Sequence, residues 1–241
     1  MGSVASPQPS YRPLLPAFTV ANCILSAAQL ETIVYGGQAH EEWIAGTVLK
    51  SAEGKDAIQQ VRKGYFLGDG TGAGKGRQIA GVVLDNWLRG RRKHIWVSKN
   101  ATLLEDARRD WTAIGGVGAD IQPLSNWPLG RPITLSEGVL FVPYATLRSA
   151  REVDSRLEQI LAWAGTDFDG TIAFDEAHAM GGVAGGEGAR GKTKGSEQGI
   201  AGVTLQDRLP AARVIYASAT GASNVNNLAY AVRLGLWGPE T

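Results

Sequence analysis

The chain has 241 residues, of which 44% are hydrophobic and 20% charged, and its formal net charge at pH 7 is +1. This length allows a sizeable core in one or two domains. A net charge so near zero excludes an overall electrostatic attraction to nucleic acid or membranes. The single cysteine, Cys23, excludes an internal disulfide and a multi-cysteine metal site and favours a reducing compartment, and no apolar run is long enough to span a membrane.

Residues 1–18 are rich in proline and serine and are predicted to form an extended arm, with residues 19–241 forming the domain. Ser26 followed by Gln29 is a capping box, which predicts the start of a helix. Gln29 has two interpretations: it only caps this helix, or its amide also reads the edge of an adenine. From residue 38 to 63 the pattern is mixed, with apolar residues at helical spacing. These residues are Trp43, Ile44, Val48, Leu49, Ile58 and Val61.

The most informative stretch is residues 68–76, GDGTGAGKG, named the glycine loop below, between a predicted strand at Tyr65–Leu67 and a predicted helix. Strand, glycine-rich loop and helix form the layout of a phosphate-binding loop, in which glycines converge their N–H groups on phosphate oxygens and a lysine, here Lys75, reaches the β- and γ-phosphates. The usual pattern has glycine where Asp69 stands and a magnesium-binding serine or threonine where Gly76 stands. A plain connecting turn is the alternative interpretation.

A dinucleotide fingerprint is a further interpretation, because Gly68-x-Gly70-x-x-Ala73 fits its pattern. That fold needs an acidic residue after the next strand. Here the next strand ends in Lys99-Asn100, so the fingerprint is disfavoured.

Downstream, predicted strands alternate with predicted helices. The helix after the glycine loop carries an apolar face of Ile79, Val82, Val83 and Trp87. The predicted strands cover residues 94–98, 138–142, 170–174 and 214–217, and the predicted helices cover 102–114, 151–164 and 222–236. This alternation predicts an α/β fold with a mainly parallel sheet and helices on both faces. Residues 181–203 contain nine glycines and are predicted to form a flexible, locally basic loop.

The predicted strand at 170–174 runs directly into Asp175-Glu176. Two adjacent carboxylates at the end of an apolar strand are costly unless a cation lies between them and a ligand. A nucleotide hydrolase needs this arrangement, with one acid to hold Mg²⁺ and the other to orient or deprotonate water. The alternative is a solvated acidic turn.

Taken together, the order of motifs is that of a superfamily-two helicase or translocase: Gln29, GDGTGAGKG, WVSKN, VLFVPYATL, FDEAH and SAT. More narrowly, LSAAQLETIVYGGQAH, GDGTGAGKGRQIAG, LDNWLRGRRKHIWVSKN, LLEDARRDW and NNLAYAVRLGLWG resemble the strawberry notch family, and the bacterial and phage-borne members are closest in style. This family's loop has a glycine after the lysine, as at Gly76.

The resemblance implies a RecA-like domain that binds ATP with Mg²⁺. It assigns nucleotide binding to Gln29, Asp69, Gly70, Thr71, Gly72, Ala73, Gly74, Lys75, Gly76 and Arg77. Asp175 would hold Mg²⁺ through water, with Thr71 or an extra water replacing the missing hydroxyl. Glu176 would position the attacking water, and Asp175, Glu176 and Lys75 form the catalytic set. The residues that would couple the nucleotide site to nucleic acid and to a second domain are His178, Ser218 and Thr220.

The resemblance also implies partners: nucleic acid, with DNA favoured, and a second RecA-like domain in cis or in trans, without a membrane. The chain stops just after the first domain, so we expect slow hydrolysis or none from it alone. A bacterial or phage protein of this kind would be cytoplasmic and a eukaryotic one nuclear. The alternatives are a nucleotide-gated interaction module and a nucleic-acid-binding domain with a relic loop.

Overall fold

The computed structural model describes residues 7–50, 56–147, 155–183, 186–188, 191–193, 196–220 and 225–236. At its centre lies a sheet of six parallel strands. In spatial order they are β3 (Tyr65–Leu67), β10 (Arg213–Ala217), β7 (Thr171–Asp175), β4 (Lys93–Ser98), β6 (Gly138–Pro143) and β5 (Ile121–Pro123). The remaining strands of the described residues pair as two antiparallel hairpins, β1 (Trp43–Lys50) with β2 (Asp56–Arg62) and β8 (Gly186–Gly188) with β9 (Gly191–Thr193).

Helices cover both faces of the sheet, and the predicted α/β fold class is confirmed. The helices are α1 (Ala17–Ala21), α2 (Ala27–Ala39), α3 (Lys75–Leu88), α4 (Leu104–Ala113), α5 (Tyr144–Leu147), α6 (Arg156–Ala164) and α7 (Glu197–Arg208). One core lies between the sheet and α2, α3 and α4, and the other between the sheet and α5, α6 and α7. Strand residues alternate between the two cores, as burial on both faces requires.

Local sequence explains where the main helices begin. Ser26 and Gln29 form the predicted reciprocal capping box at α2. Side chains also cap later elements: the hydroxyls of Ser155 and Ser196 accept from backbone N–H groups of α6 and α7. The predicted apolar face of α3 is confirmed, because Ile79, Val82 and Val83 are buried, with Trp87 packed against the same core.

The N-terminal arm is attached to α3. Residues 7–16 form neither helix nor strand, and the hydroxyl of Tyr11 donates to Asp85 Oδ2 at 2.5 Å while the amide of Leu14 donates to Asp85 Oδ1 at 2.6 Å. An acidic side chain with 2% exposure on α3 thus holds a segment that has no core of its own. Within the described residues no helix is long and apolar enough to cross a membrane.

The helical interpretation of residues 38–63 is wrong beyond α2. The chain there forms the β1–β2 hairpin, in which Trp43 pairs with Arg62 and Ile44 with Val61. Gly46 permits this pairing, because a Cβ on it would lie 2.9 Å from the carbonyl oxygen of Gln59 and 2.6 Å from a methyl group of Val61. Apolar residues three or four apart also fall on two paired strands, so the spacing did not discriminate.

The predicted loop at 181–203 is shorter than expected. Helix α7 begins at Glu197, and the hairpin β8–β9 lies upstream of it. Gly199 and Gly202 lie in this helix, not in a loop: a Cβ on Gly202 would lie 2.4 Å from the sulfur of Met180, and one on Gly199 2.5 Å from the carbonyl oxygen of Met180. These glycines therefore let the helix pack closely on the segment after β7.

The predicted closing helix at 222–236 is also wrong in its described part, which consists of two short 3₁₀ turns, Val225–Leu228 and Val232–Leu234. The side chain of Arg233 is fully buried. It donates to four backbone carbonyls, those of Arg62, Gln206, Leu209 and Pro210. These hydrogen bonds hold the Val232–Leu234 turn against the chain at Arg62 and at Gln206–Pro210.

Candidate functional site

Three strand ends meet at one edge of the sheet. Leu67 of β3 pairs with Ala217 of β10, which pairs in turn with Asp175 of β7. Neighbouring strands lie about 4.8 Å apart, so the backbones at Leu67 and Asp175 are separated by roughly 10 Å. The glycine loop follows Leu67, and Ser218 follows Ala217. The loop, the carboxylates and the hydroxyls that the sequence singled out therefore lie at the same edge, where open α/β sheets bind their ligands.

The glycine loop has the backbone of an anion cradle. Gly72 and Gly74 have φ values of 84° and 73°, a conformation that favours glycine. Gly74 is the N-cap residue of α3, and Lys75 is the first residue of that helix. The ammonium of Lys75 lies over the loop and donates to the carbonyls of Asp69 and Gly70 at 3.2 and 3.1 Å. An open helix N-terminus and a lysine thus converge on one place.

Polar side chains brace this loop from two sides. The amide nitrogen of Gln29 donates to the carbonyl of Ala73 at 3.1 Å, and its oxygen accepts from the amide of Ser26. From the other side, Gln78 Nε2 donates to Asp69 Oδ2 at 2.9 Å and also to the carbonyl of Ala73. Asp69 therefore binds the loop to α3, which explains an acid where the usual pattern has glycine. The adenine-reading role of Gln29 remains a prediction.

Sequence reasoning missed Gln78, although its signal was present. It is a polar residue fully buried on a helix whose neighbours at 79 and 80 are apolar and buried. A buried amide needs hydrogen-bond partners, and the nearest polar candidates were those of the preceding loop. Its Oε1 has no hydrogen-bond partner among the described residues.

Asp110 of α4 is the second residue that sequence reasoning missed, and it explains Gly76. A Cβ on Gly76 would lie 2.5 Å from Asp110 Oδ2. The carboxylate therefore occupies the space where a phosphate-binding loop usually carries a serine or threonine side chain. Arg77 Nη2 and Arg109 Nε lie 3.5 and 3.7 Å from Asp110 Oδ1. Arg77 thus turns toward α4, and its predicted contact with nucleotide is untested.

The carboxylates at the end of β7 carry the signature of a cation site. Burial, and then the neighbouring Glu176, raise the pKa of Asp175 above its usual range. Ser98 donates to Asp175 Oδ2 at 3.2 Å. No described side chain of lysine or arginine forms an ion pair with Asp175 or Glu176, and the described basic group in contact with the pair is the imidazole of His178, 3.3 Å from Glu176.

This donor set fits Mg²⁺ bound together with a nucleotide. In the described residues no three potential ligands cluster tightly enough to hold a metal by themselves. Mg²⁺ is usually held by one or two carboxylates plus substrate phosphates and water, which is the number of carboxylates that Asp175 and Glu176 supply. Thr71 is exposed in the glycine loop, and its predicted metal role stays a prediction.

The predicted coupling residues form a chain of polar contacts from β7 to β10. Glu176 has a φ of 54°, which is uncommon for a residue with a side chain. Its Oε2 lies 3.3 Å from Nδ1 of His178, and that nitrogen lies 3.1 Å from Oγ of Ser218. Ser218 and Thr220 bring their hydroxyls within 3.1 Å of each other. The structure thus brings these four residues together.

Comparison with known proteins supports the interpretation of the glycine loop as a phosphate-binding loop. Residues 1–241 match the family described as P-loop containing NTP hydrolase pore-1. The chain is 39% identical over 246 residues to Protein FORGETTER 1 of Arabidopsis thaliana, and 38% over 250 residues to Protein strawberry notch homolog 1 of Homo sapiens. It is 42% identical over 246 residues to Protein strawberry notch homolog 2 of Homo sapiens. These alignments include 100% of this chain and 18%, 17% and 16% of the relatives, respectively.

Among solved structures, the Sulfolobus solfataricus SWI2/SNF2 ATPase core in complex with dsDNA is similar, with 15% identity and a TM-score of 0.45 over 70% of this chain and 31% of that one. The strawberry notch relatives confirm the resemblance that the motifs predicted. With the glycine loop, Lys75 and the β7 carboxylates at one sheet edge, and a family match over its whole length, the chain is a P-loop NTPase domain and belongs to the family described as P-loop containing NTP hydrolase pore-1.

Proposed function

We propose that this domain binds ATP with Mg²⁺ and hydrolyses it as the first motor domain of a superfamily-two helicase-like, nucleic-acid-dependent ATPase. One observation carries the proposal. Leu67, which directly precedes the glycine loop, and Asp175 are in register across β10, so the loop with Lys75 and the Asp175-Glu176 pair lie at the same end of the sheet. A triphosphate lying in the loop would extend along this edge toward the carboxylates.

In this proposal the glycine loop and Lys75 hold the phosphates. The two carbonyls that Lys75 now contacts keep its ammonium folded over the loop, and phosphate oxygens would replace them as its acceptors. Asp175, which is partly buried and accepts a hydrogen bond from Ser98, would hold Mg²⁺ through water. When bound, Mg²⁺ neutralises charge on the phosphates. A cation there also relieves the unfavourable burial of Asp175.

Glu176 is the group that would orient and deprotonate the attacking water. Its side chain is 34% exposed and that of His178 is 42% exposed, so the site is open on this side. A second RecA-like domain, in cis or in trans, would close it and supply an arginine finger, a contribution worth about 10³–10⁵ in rate. His178, Ser218 and Thr220 would relay that closure and the binding of nucleic acid, for which DNA is favoured. Support for these partners comes from the motif order.

Calorimetric titration with ATP tests the site. Binding that depends on Mg²⁺ should be lost in Lys75→Ala and retained in the matched control Lys63→Ala, which removes a lysine that pairs with Glu42 at 2.6 Å at the other end of β3. Equal binding by both variants, or no binding by the wild type, would contradict the proposal.

Substitution of Glu176 distinguishes a motor, which needs hydrolysis, from a nucleotide-gated interaction module, in which hydrolysis is incidental. Glu176→Gln keeps the shape of the side chain, so ATP should still bind. In the presence of the second domain and nucleic acid, hydrolysis should fall by at least about 100-fold. Unchanged hydrolysis in the Glu176→Gln variant would show that Glu176 takes no part in the reaction.

A further inference from the structure

The side chain of Asp110 reaches from α4 to the first turn of α3, which begins at Lys75. A Cβ placed on Gly76 would lie 2.5 Å from Asp110 Oδ2. In the usual phosphate-binding loop this position carries a serine or threonine, whose hydroxyl is a ligand of Mg²⁺. That hydroxyl is one bond away from its Cβ, so Oδ2 lies within a few ångströms of every position that the hydroxyl could take. The carboxylate therefore supplies an oxygen close to the place where this loop lacks one.

Two arginines hold this carboxylate through its other oxygen. Arg77 Nη2 and Arg109 Nε lie 3.5 and 3.7 Å from Asp110 Oδ1, which is longer than the roughly 2.7–2.9 Å of a charge-assisted hydrogen bond. Both arginines are partly exposed, so solvent screens these pairs and the carboxylate keeps much of its charge.

The second oxygen of Asp110 is available to a ligand. The side chain as a whole is 14% exposed. Among the described residues nothing donates a hydrogen bond to Oδ2, and Oδ2 is not one of the side-chain atoms that lie buried without a partner, so it is open to solvent. The contrast is with Oε1 of Gln78, which is buried and unpartnered.

A carboxylate beside a phosphate-binding loop is unfavourable for nucleotide binding unless a cation joins the two. The N-terminus of α3 and Lys75 attract phosphate groups, whereas the charge of Asp110 repels them. A divalent ion that binds both the carboxylate and the phosphates replaces this repulsion by attraction. Mg²⁺ takes oxygen ligands and is usually held by one or two carboxylates together with phosphates and water, so Asp110 and Asp175 do not exceed its ordinary number.

We propose that Asp110 replaces the missing serine or threonine as a direct ligand of the Mg²⁺ that accompanies the nucleotide. The inference rests on the proposed function, in which the glycine loop binds ATP with Mg²⁺. Gly76 is then part of the metal site, because the absence of its side chain admits the carboxylate from α4. Asp175 keeps its role of holding the ion through water.

Calorimetric titration with ATP, with and without Mg²⁺, tests the ligand. Losing a residue that only supports a metal ligand costs about 10–100-fold in metal affinity, so Asp110→Asn should weaken binding of the Mg²⁺ complex at least about tenfold. ATP without Mg²⁺ should bind this variant at least as tightly as it binds the wild type, because the repulsion is removed. A role confined to packing would weaken both.

The matched control for this titration is Asp106→Asn. Asp106 lies one turn earlier in α4 and pairs with Arg109 at 2.6 Å, so the variant removes the same charge from the same helix. It should change neither affinity by more than about twofold, as expected for an exposed ion pair.

A switch of metal preference tests direct ligation. Asp110→Cys is made together with Cys23→Ser, so that the new thiol is the single one in the chain. A thiolate prefers soft metal ions to Mg²⁺. Cd²⁺ should therefore restore tight ATP binding to this variant where Mg²⁺ does not, and it should not do so for Asp110→Asn.

The outcomes distinguish this inference from the proposed function. Absence of Mg²⁺-dependent ATP binding in the wild type would contradict the proposed function, and this inference with it. Mg²⁺ dependence that is present in the wild type and unchanged in Asp110→Asn would overturn this inference alone. The same holds if the dependence is lost in Thr71→Val instead, if Asp110→Asn weakens ATP binding equally with and without Mg²⁺, or if Cd²⁺ fails to restore binding to the cysteine variant.

Discussion

Replacing Gly76 by serine restores the usual phosphate-loop sequence, yet we expect it to destabilise the domain. The new Cβ would lie 2.5 Å from Asp110 Oδ2, closer than such atoms approach, so the carboxylate must turn away. Leaving a favoured rotamer costs about 0.5–1.5 kcal/mol, and loosening the partly exposed contacts with Arg77 and Arg109 costs up to about 1 kcal/mol each. Serine regains roughly 0.4 kcal/mol of helix propensity over glycine. The net loss is about 1–2 kcal/mol.

A double-mutant cycle isolates this clash. In the Asp110→Ala background the carboxylate is gone, so Gly76→Ser should be neutral or slightly stabilising by helix propensity. Urea unfolding of the wild type, both single variants and the double variant gives a coupling free energy of about 1–2 kcal/mol between positions 76 and 110. The same four proteins titrated with ATP and Mg²⁺ report whether the restored hydroxyl contributes to binding.

The result that would refute this reasoning is additivity. If Gly76→Ser changes the free energy of unfolding equally with and without Asp110, a clash with the carboxylate is not the reason for glycine at position 76. A stabilising Gly76→Ser in the wild-type background would lead to the same conclusion.

Three further predictions follow from buried groups. Asp175→Asn should raise the melting temperature without nucleotide, because burial raises the pKa of this carboxyl and disfavours its charge. In calorimetry the same variant should lose Mg²⁺-dependent ATP binding. A lower melting temperature would contradict the electrostatic argument. His40 and His94 are buried, with pKa values lowered from 6.5 to about 3 and about 4, so the folded state binds fewer protons than the unfolded state. Stability should therefore fall below pH 6.5 by about 1.4 kcal/mol per pH unit for each histidine, and a flat profile of unfolding free energy from pH 6.5 to 4.5 would exclude this. Gly202→Ala should cost about 1–3 kcal/mol in urea unfolding through its contact with Met180, and Met180→Ala should relieve part of that cost.

The sequence predicted the parts of the site that short segments determine. Strand β3, the glycine loop and the start of α3 lie within 12 residues, 65–76, and Asp175-Glu176 lie at the end of β7. Their meeting at one edge follows from the parallel sheet, which the alternation of elements predicted. Asp110 could not be found in this way, because it is 34 positions after Gly76 and lies in a different helix. Only the packing of α4 against α3 brings its carboxylate to the loop.

The glycines illustrate the limit most directly, because the same residue type meets two different needs. Gly74 supplies a left-handed backbone at the start of α3, a need that the loop pattern itself indicates. Gly76 and Gly202 instead leave room for a neighbour, Asp110 in one case and Met180 in the other. The sequence shows only that the position has no side chain. Which neighbour fills the space is seen only in the tertiary structure. By comparison with the usual pattern, Gly76 is a departure that removes the magnesium-binding hydroxyl from the phosphate loop. In the fold, the absence of a side chain at Gly76 leaves room for the carboxylate of Asp110. The double-mutant cycle at positions 76 and 110 distinguishes these two interpretations.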